Sequence, residues 1–230
     1  MINLSDKITD EGDKLSNRVK ISDYYGGKTE YGPNKTRINH ILELMGDIKG
    51  KKILDLACGN GKIDKIFKER GAIVHGCEIS AKIIATASPN LDKSFVFDVE
   101  NDDFGRLDKD YDFIVASELI EHLFLPKKFL INLKTIVSPG CRIIITTPNF
   151  LLWTNRLRMF FGKFAYTERG FLDESHIHFF TYNSLKDMVR ETGFMIEREN
   201  HIIHPKIPGR IGRLRPNLFS YQVVVKLKLK

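Results

Sequence analysis

The sequence predicts an α/β fold, a doubly wound sheet of seven strands that is mostly parallel. Two observations carry this prediction. From residue 51 onward, short apolar runs alternate with segments of helical periodicity, which is the pattern of stacked strand, helix, strand units. The length of 230 residues, with 42% hydrophobic and 28% charged residues, also suits one globular domain with a sizeable core.

The elements can be read in order from the N-terminus. Residues 1–35 are polar and interrupted by Gly and Pro, so we expect an N-terminal cap segment before the main domain, residues 36–230. Apolar runs predict strands at residues 52–57, 73–78, 94–98, 113–117, 142–147, 194–199 and 221–230. Helical periodicity predicts helices at residues 36–45, 62–70, 81–87, 127–137 and 184–192. The alternation breaks at about residues 149–180, which we interpret as a lid insertion.

Bulk composition argues against several classes of protein. No apolar run approaches the roughly 20 residues of a membrane span, and residues 1–20 lack the apolar stretch of a secretory signal, so we expect a soluble cytoplasmic protein. The three cysteines, Cys58, Cys77 and Cys141, sit in apolar runs, which favours structural thiols over disulfides or zinc ligands. The net charge of +7 is concentrated in residues 201–230, where no acidic residue occurs. Because no recognised nucleic-acid module accompanies this charge, nucleic acid is not the expected partner.

Three acidic residues mark the first three predicted strands. Asp55 lies in the first strand, before the glycine turn from Gly59 to Gly61, and a helix follows. Glu78 ends the second strand about 20 residues after the turn, and Asp98 ends the third. The carboxyl ends of parallel strands meet at one edge, and glycine lets the backbone pass close to a ligand there. The spacing predicts a nucleoside site in which Glu78 accepts the ribose hydroxyls.

The residues around the turn favour S-adenosylmethionine over NAD. A dinucleotide fingerprint needs a third glycine three residues after Gly61, where this chain has Asp64. Asp55 also precedes the position of a pyrophosphate, and a carboxylate there suits a cationic amino group instead. S-adenosylmethionine fits, because it is a nucleoside that carries an amino acid and a sulfonium and has no phosphate.

Residues 53–63 resemble motif I of class I S-adenosylmethionine-dependent methyltransferases, with Ala57 where the first glycine is commonest. Residues 111–122 are similar to the motif after strand four in the branch that includes the ubiquinone-biosynthesis O-methyltransferases. The resemblance implies a Rossmann-like sheet with an antiparallel last strand, and it implies that Asp98 and the Val99 backbone face the adenine. The cofactor-binding residues that we expect are Asp55, Ala57, Cys58, Gly59, Asn60, Gly61, Glu78, Ile79, Asp98, Val99 and Ser117.

Methyl transfer from a sulfonium is an in-line displacement, so alignment of the two reactants matters most. A hydroxyl acceptor would gain from a general base, and the candidates are Glu121, His122, His176 and His178. His176 and His178 would face one side of an extended segment, although ordinary loop histidines are the alternative. In the resembled branch, a cluster such as Glu118, Glu121 and His122 is associated with a divalent cation. The alternative is that Glu118 contacts cofactor or solvent, Glu121 pairs with a nearby base, and His122 packs at a helix start.

Two segments flank the mouth of the site in the resembled fold, where specificity is expected. Residues 150–164 interleave aromatic and basic side chains and form either a lid helix that rests on the sheet or a helix at a membrane surface. Lys206, Arg210, Arg213 and Arg215 would favour an acceptor with phosphate or carboxylate. The expected acceptor is therefore a small molecule or a lipid-linked or glycan-linked precursor, met in the cytoplasm or at the inner face of the membrane.

These features predict an S-adenosylmethionine-dependent methyltransferase that methylates oxygen on a small or carrier-linked acceptor. Methylation of nitrogen in RNA or protein is one alternative, but the strand-four motif begins Ser117-Glu118 instead of the Asn/Asp-Pro-Pro-aromatic signature of amino methylation. A binding module that keeps the nucleoside pocket without turnover is the other alternative.

Overall fold

Residues 34–167 and 170–230 are described by the structure, a computed structural model. The expected N-terminal cap, residues 1–35, falls almost entirely outside the described residues and stays a prediction. Within the two described ranges, no helix is both long and apolar enough to cross a membrane.

Eight strands form one sheet in the order β3-β2-β1-β4-β5-β8-β6, with β7 paired to β8. The strands are β1 Lys52–Leu56, β2 Ile73–Glu78, β3 Lys93–Val96, β4 Phe113–Ser117, β5 Arg142–Pro148, β6 Phe194–Glu199, β7 Ile202–Ile203 and β8 Ser220–Leu229. Strands β1 to β5 pair in parallel, whereas β8 runs antiparallel to β5 and β6. The predicted doubly wound, mostly parallel sheet with an antiparallel last strand is confirmed, and the short strand β7 is an addition.

Helices pack on both faces of the sheet. The α-helices of the described residues are α1 Lys35–Met45, α2 Lys62–Glu69, α3 Ala81–Ala87, α4 Pro126–Leu133, α5 Trp153–Phe160, α6 Tyr182–Glu191, α7 Gly209–Leu214 and α8 Pro216–Phe219. Side-chain caps start several of them; for example, the side-chain Oδ1 atom of Asn34 accepts a hydrogen bond from the backbone N–H of Arg37. Helix α4 ends earlier than predicted, because β-branched residues follow and the Thr135 hydroxyl donates to the Asn132 carbonyl. The connection before β8 contains α7 and α8, which the sequence pattern did not predict.

The sheet is buried on both faces, which accounts for the continuous apolar runs of its strands. Along β5, Ile143 and Ile145 pack with α4 and α6, whereas Ile144 packs with α1, α2 and α3 on the opposite face. All three side chains are fully buried. With both faces covered, polar groups gather at the carboxyl edge of the strands, where the strand order reverses between β1 and β4.

Candidate functional site

The chain leaves β1 through a tight turn that has left-handed backbone at three positions. The φ angle is 60° at Ala57, 57° at Gly59 and 73° at Gly61. A Cβ at Gly61 would lie 3.0 Å from the backbone of Ala87 in α3, whereas a Cβ at Gly59 would meet nothing within 4 Å. Gly61 thus allows the turn to pack on α3, and Gly59 leaves open space beside the turn. Ala57 holds a strained conformation at the position where glycine is commonest.

Glu78 lies at the tip of β2, beside this turn. One carboxylate oxygen accepts a hydrogen bond from the Gly59 N–H (3.2 Å), and the other accepts from the N–H groups of Ile79 (2.8 Å) and Ser80 (3.3 Å). The residue is only 6% exposed. Burial raises the pKa of Glu78, and the three backbone donors oppose this rise. The carboxylate is therefore fixed against the glycine turn, at the strand tip predicted for ribose recognition.

Asp98 and its neighbours lie at the tip of the next strand. The Asp98 carboxylate accepts hydrogen bonds from the Glu100 N–H and from the Asn101 side-chain amide, both at 2.9 Å. Val99 is buried and Ile79 is half-buried. Asp98 thus holds the turn after β3, and its contact with adenine stays a prediction.

Cys58 and Asn60 complete the predicted cofactor turn. The Cys58 N–H donates to the Cys77 carbonyl (3.0 Å), which ties the turn to β2. The three cysteines are free and buried, as predicted for structural thiols. Burial raises the pKa of Cys58 and Cys77, which keeps both thiols protonated. Asn60 is half-buried.

Asp55 lies next to a second buried acid. Asp55 is 2% exposed, and Asp64, in the first turn of α2, is 0% exposed. Burial raises the pKa of Asp55 well above its usual range, and the carboxylates of Asp64 and Glu78 raise it further, while Arg37 opposes them. The turn after β1 is therefore surrounded by carboxylates, which is an environment suited to a cation.

The end of β4 is held against β5 by hydroxyl groups. The Ser117 hydroxyl lies 3.1 Å from the Thr146 hydroxyl, which in turn donates to a Glu118 carboxylate oxygen at 2.9 Å. The other Glu118 oxygen pairs with Arg37 at 3.2 Å. Glu118 has a φ of 55°, a strained conformation of the kind that concentrates at functional sites.

Arg37 is the residue of this site that the sequence analysis missed. It lies in the first turn of α1, and its charge opposes the rise in pKa of both Asp55 and Glu121. One guanidinium group therefore faces three carboxylates, those of Asp55, Glu118 and Glu121. No sequence motif marks Arg37. The only sequence feature that points to it is its place in the first turn of a helix that Asn34 caps.

Glu121, His122 and His176 form a compact cluster after β4. One side-chain ligand atom of each residue lies within 4.8 Å of the others. Glu121 is 1% exposed, and neither of its oxygens has a hydrogen-bond donor among the described residues. Each histidine Nδ1 faces a backbone carbonyl, Ser175 for His122 (3.0 Å) and Phe171 for His176 (3.2 Å). These bonds put the proton on Nδ1 and the lone pair of the neutral ring on Nε2.

The structure changes two sequence predictions about this cluster. Glu118 does not join it, because its carboxylate is held by Thr146 and Arg37. His178 does not join it either, since its Nε2 faces the Phe124 carbonyl at 3.2 Å. The expected same-sided pair of histidines fails because the N–H groups of residues 177 and 178 both donate to the Glu121 carbonyl, which turns the backbone away from an extended conformation. His176 alone therefore faces Glu121 and His122.

Helix α5, in the segment predicted to form a lid, is far less buried than the cofactor turn. Helix α5 buries only Asn155, while Leu157, Phe160 and Phe161 are exposed, Phe160 by 82%. Leu157 and Phe160 of α5 therefore face solvent, whereas Trp153 and Met159 are half-buried. The Trp153 ring lies 5.6 Å from the His204 ring, which joins α5 to the connection before α7.

Comparison with known proteins identifies the domain. Residues 31–199 match a family described as a methyltransferase domain. The chain belongs to this methyltransferase family. The predicted class, an S-adenosylmethionine-dependent methyltransferase domain, is thereby confirmed.

Curated relatives of this methyltransferase domain match over part of its length. The ubiquinone biosynthesis O-methyltransferase of Coxiella burnetii is 30% identical over 120 residues, which is 50% of this chain and 51% of that protein. The protein of the same name from Aeromonas salmonicida is 27% identical over 121 residues. The chain spans about half the length of the curated relatives it matches.

Solved structures share the fold of the methyltransferase domain. Magnesium protoporphyrin IX methyltransferase from Synechocystis PCC 6803 with bound SAH has a TM-score of 0.59 and 16% identity, over 94% of this chain and 87% of that one. An Archaeoglobus fulgidus SAM-dependent methyltransferase has a TM-score of 0.60 and 18% identity, over 86% of this chain and 95% of that one. The predicted Rossmann-like sheet is thus confirmed.

S-adenosylmethionine is the cofactor of this class, and the residues of the methyltransferase turn fit it. The surroundings of the turn are rich in carboxylates, which suits the ammonium and sulfonium charges of this cofactor. Gly59 leaves room beside the turn, and Glu78 is fixed at the neighbouring strand tip. Asp64 occupies the place of the third glycine that a dinucleotide would need. Glu78 would hold the ribose, and Asp55 would face the amino group.

Proposed function

We propose that this methyltransferase transfers the methyl group of S-adenosylmethionine to a hydroxyl oxygen of a small or carrier-linked, anionic acceptor. The cluster of Glu121, His122 and His176 is the observation that carries the proposal. It adjoins the end of β4, at the same sheet edge as the cofactor turn, and Arg37 faces both places. The name of the curated relatives, ubiquinone biosynthesis O-methyltransferase, supports oxygen as the atom methylated.

In the proposed reaction the acceptor oxygen attacks the methyl carbon in line with the breaking carbon–sulfur bond. The cofactor supplies an activated methyl group, so the protein mainly aligns the acceptor and excludes water. When no cation is bound to the cluster, the hydroxyl proton passes to the Nε2 atom of His122 or His176, because the carbonyls of Ser175 and Phe171 hold the other nitrogen protonated. Bulk water then takes the proton from the imidazole.

The same cluster suits a divalent cation, with Glu121, His122 and His176 as ligands in place of the set that includes Glu118. Two imidazoles and one carboxylate are common ligands of divalent transition metals. The two carbonyls that orient the histidines are the partners expected around a metal-bound imidazole. A buried carboxylate without a donor would also be stabilised by such a charge. The cation would orient the acceptor oxygen and lower the pKa of its hydroxyl group.

An anionic acceptor is supported by the charge of the connection before β8. Lys206, Arg210, Arg213 and Arg215 are exposed, and no acidic residue lies between positions 201 and 230. The contact between Trp153 and His204 joins this segment to the lid. Guanidinium groups bind phosphate and carboxylate in bidentate fashion, so these residues suit a phosphorylated or carboxylated acceptor.

The lid supports a peripheral contact with an anionic membrane, which would bring a lipid-linked acceptor to the site. Phe160, Phe161 and Leu157 are exposed on or next to α5, and Arg156 and Arg158 are exposed on the same helix. Exposed aromatic and apolar groups beside basic groups are typical of helices that lie at a lipid surface.

Transfer of a labelled methyl group tests the reaction. Phosphorylated or lipid-linked phenols should be methylated on oxygen, whereas RNA and protein should not be. The matched variants are His176→Ala and His178→Ala, because the two histidines are close in sequence and only His176 faces Glu121. We expect His176→Ala to lower the rate by roughly 100-fold or more and His178→Ala to lower it less than threefold. Equal losses in the two variants would contradict the role of the cluster.

Chelation tests the cation. Treatment with a chelator should lower the rate, addition of a divalent metal should restore it, and a Glu121→Gln variant should fail to retain the metal by elemental analysis. Full activity after removal of all bound metal would leave the histidines as bases and dismiss the cation.

Sedimentation with vesicles tests the membrane contact. Wild-type protein should bind vesicles of anionic phospholipid and not vesicles of phosphatidylcholine alone. A Phe160→Ser, Phe161→Ser double variant should lose this binding. Phe124→Ser is the control, because Phe124 is exposed but lies outside the lid. Binding that both variants retain would contradict the lid as the contact.

A further inference from the structure

Two carboxyl groups lie buried against each other beside the cofactor turn, and only one of them belongs to the motif recognised in the sequence. Asp55 lies in the buried part of β1, one residue before the strand ends, and Asp64 is in the first turn of α2. Neither oxygen of Asp64 has a hydrogen-bond donor among the described residues, although the residue is fully buried. The other titratable groups that face the pair are Glu78 of β2, Arg37 of α1 and the thiols of Cys58 and Cys77.

A buried pair of carboxyl groups cannot ionise fully without a compensating charge. Burial disfavours each carboxylate, and the charge of one disfavours ionisation of the other. Burial raises the pKa of Asp64 to about 7, and burial together with Asp64 raises the pKa of Asp55 well above its usual range. The charge of Arg37 opposes the rise in the pKa of Asp55, but this guanidinium group is already paired with Glu118. The carboxyl groups of Asp55 and Asp64 therefore need either a proton or the positive charge of a ligand to compensate them.

We propose that Asp55 and Asp64 share one proton in the cofactor-free protein and release it to solvent when the cofactor's ammonium group binds beside Asp55. The ammonium charge replaces the proton as the charge that compensates the pair. Asp64 is then a positioning residue, because it acts on the cofactor through Asp55. The inference rests on the cofactor and is independent of the acceptor, of the cation and of the lid.

Calorimetry with S-adenosylhomocysteine tests the proposal, because this compound carries the same ammonium group and transfers no methyl group. Titrations run in two buffers of different ionisation enthalpy count the protons released. Near pH 6 we expect wild-type protein to release close to one proton per ligand bound and the affinity to rise about tenfold per pH unit. Toward pH 8 the release should fall to zero. The range stops there because the ligand's own amino group begins to titrate.

The variant Asp64→Asn keeps the shape of the side chain and removes the shared proton. We expect it to bind without proton release and with an affinity that changes less than twofold between pH 5.5 and 7.5. Glu69→Gln, an exposed acid on the same helix, is the matched control and should behave like wild type. Asp64→Ser, which keeps a residue suited to a helix first turn, serves if the asparagine variant does not fold.

Thermal unfolding without ligand is a second readout. A carboxyl group whose pKa is raised in the folded state stabilises the fold fully at low pH, and this stabilisation is lost as the pH rises toward the folded-state pKa. Wild-type protein should therefore lose stability between about pH 4 and pH 7, and Asp64→Asn should lose less of it than Glu69→Gln.

Three results would overturn the proposal. Ligand binding by wild type without proton release would refute it while leaving the cofactor site intact. Proton release that persists in Asp64→Asn would place the proton elsewhere. Failure of wild-type protein to bind S-adenosylhomocysteine would remove the cofactor site and this proposal together, whereas a failure to methylate any acceptor would touch only the proposed function.

Discussion

The cofactor edge, which is the carboxyl edge of the sheet around the glycine turn and Glu78, is buried and tightly hydrogen-bonded, whereas helix α5 of the lid is largely exposed. At the cofactor edge, Glu78 is 6% exposed and its carboxylate is held by three backbone N–H groups, so its position is determined by the sheet itself. In the lid, α5 buries only Asn155, and Phe160 and Phe161 face solvent. A cofactor common to many enzymes can be held by a rigid edge, whereas an acceptor surface can differ from one protein to the next without disturbing the core.

The largest expected effect comes from a methyl group added at Gly61. Gly61→Ala would place a Cβ 3.0 Å from the Ala87 backbone in a residue with φ of 73°. We expect a loss of about 2–4 kcal/mol in the free energy of unfolding, from the left-handed backbone and from overpacking. Urea denaturation measures it.

The matched change in the lid is Gly162→Ala. Gly162 also has a positive φ, 68°, but a Cβ there would meet nothing within 4 Å. Only the backbone penalty of about 1 kcal/mol remains. Losses of the same size at Gly61 and Gly162 would show that the packing of the cofactor turn on α3 is less tight than the structure indicates.

A second prediction concerns ligand affinity. Glu78→Gln removes the charge and places an amide N–H₂ group against backbone donors, so ribose recognition should weaken by about 1–3 kcal/mol, or roughly 5- to 150-fold in dissociation constant. Calorimetry with S-adenosylhomocysteine measures the change. Glu174→Gln, an exposed acid in the lid segment, should change the affinity less than twofold. An unchanged affinity in Glu78→Gln would refute the role of this carboxylate.

The same contrast explains which parts of the molecule the sequence could predict. Buried strands leave continuous apolar runs, and a glycine turn with an acid at the next strand tip leaves a fixed spacing, so the sheet and the place of Glu78 were predictable. The short elements β7, α7 and α8 have too few residues to show a period. Arg37 reaches its site only because α1 returns to the carboxyl edge, and no local pattern records such a return. The sequence marked His176 as a candidate base, but its place beside Glu121 and His122 depends on the path of the chain after α5.

The smallest expected effect lies at Ala57, the position where glycine is commonest. Ala57 has a φ of 60°, so Ala57→Gly removes a left-handed penalty of about 1–2 kcal/mol and costs about 0.5–1 kcal/mol in unfolded-state entropy. The free energy of unfolding should rise by about 0.5 kcal/mol, measured by urea denaturation. Ala165→Gly in the lid, where φ is not positive, should lower it by up to about 1 kcal/mol. If both variants lose stability, the strain at Ala57 is offset by contacts of its methyl group with the core cluster that packs against it.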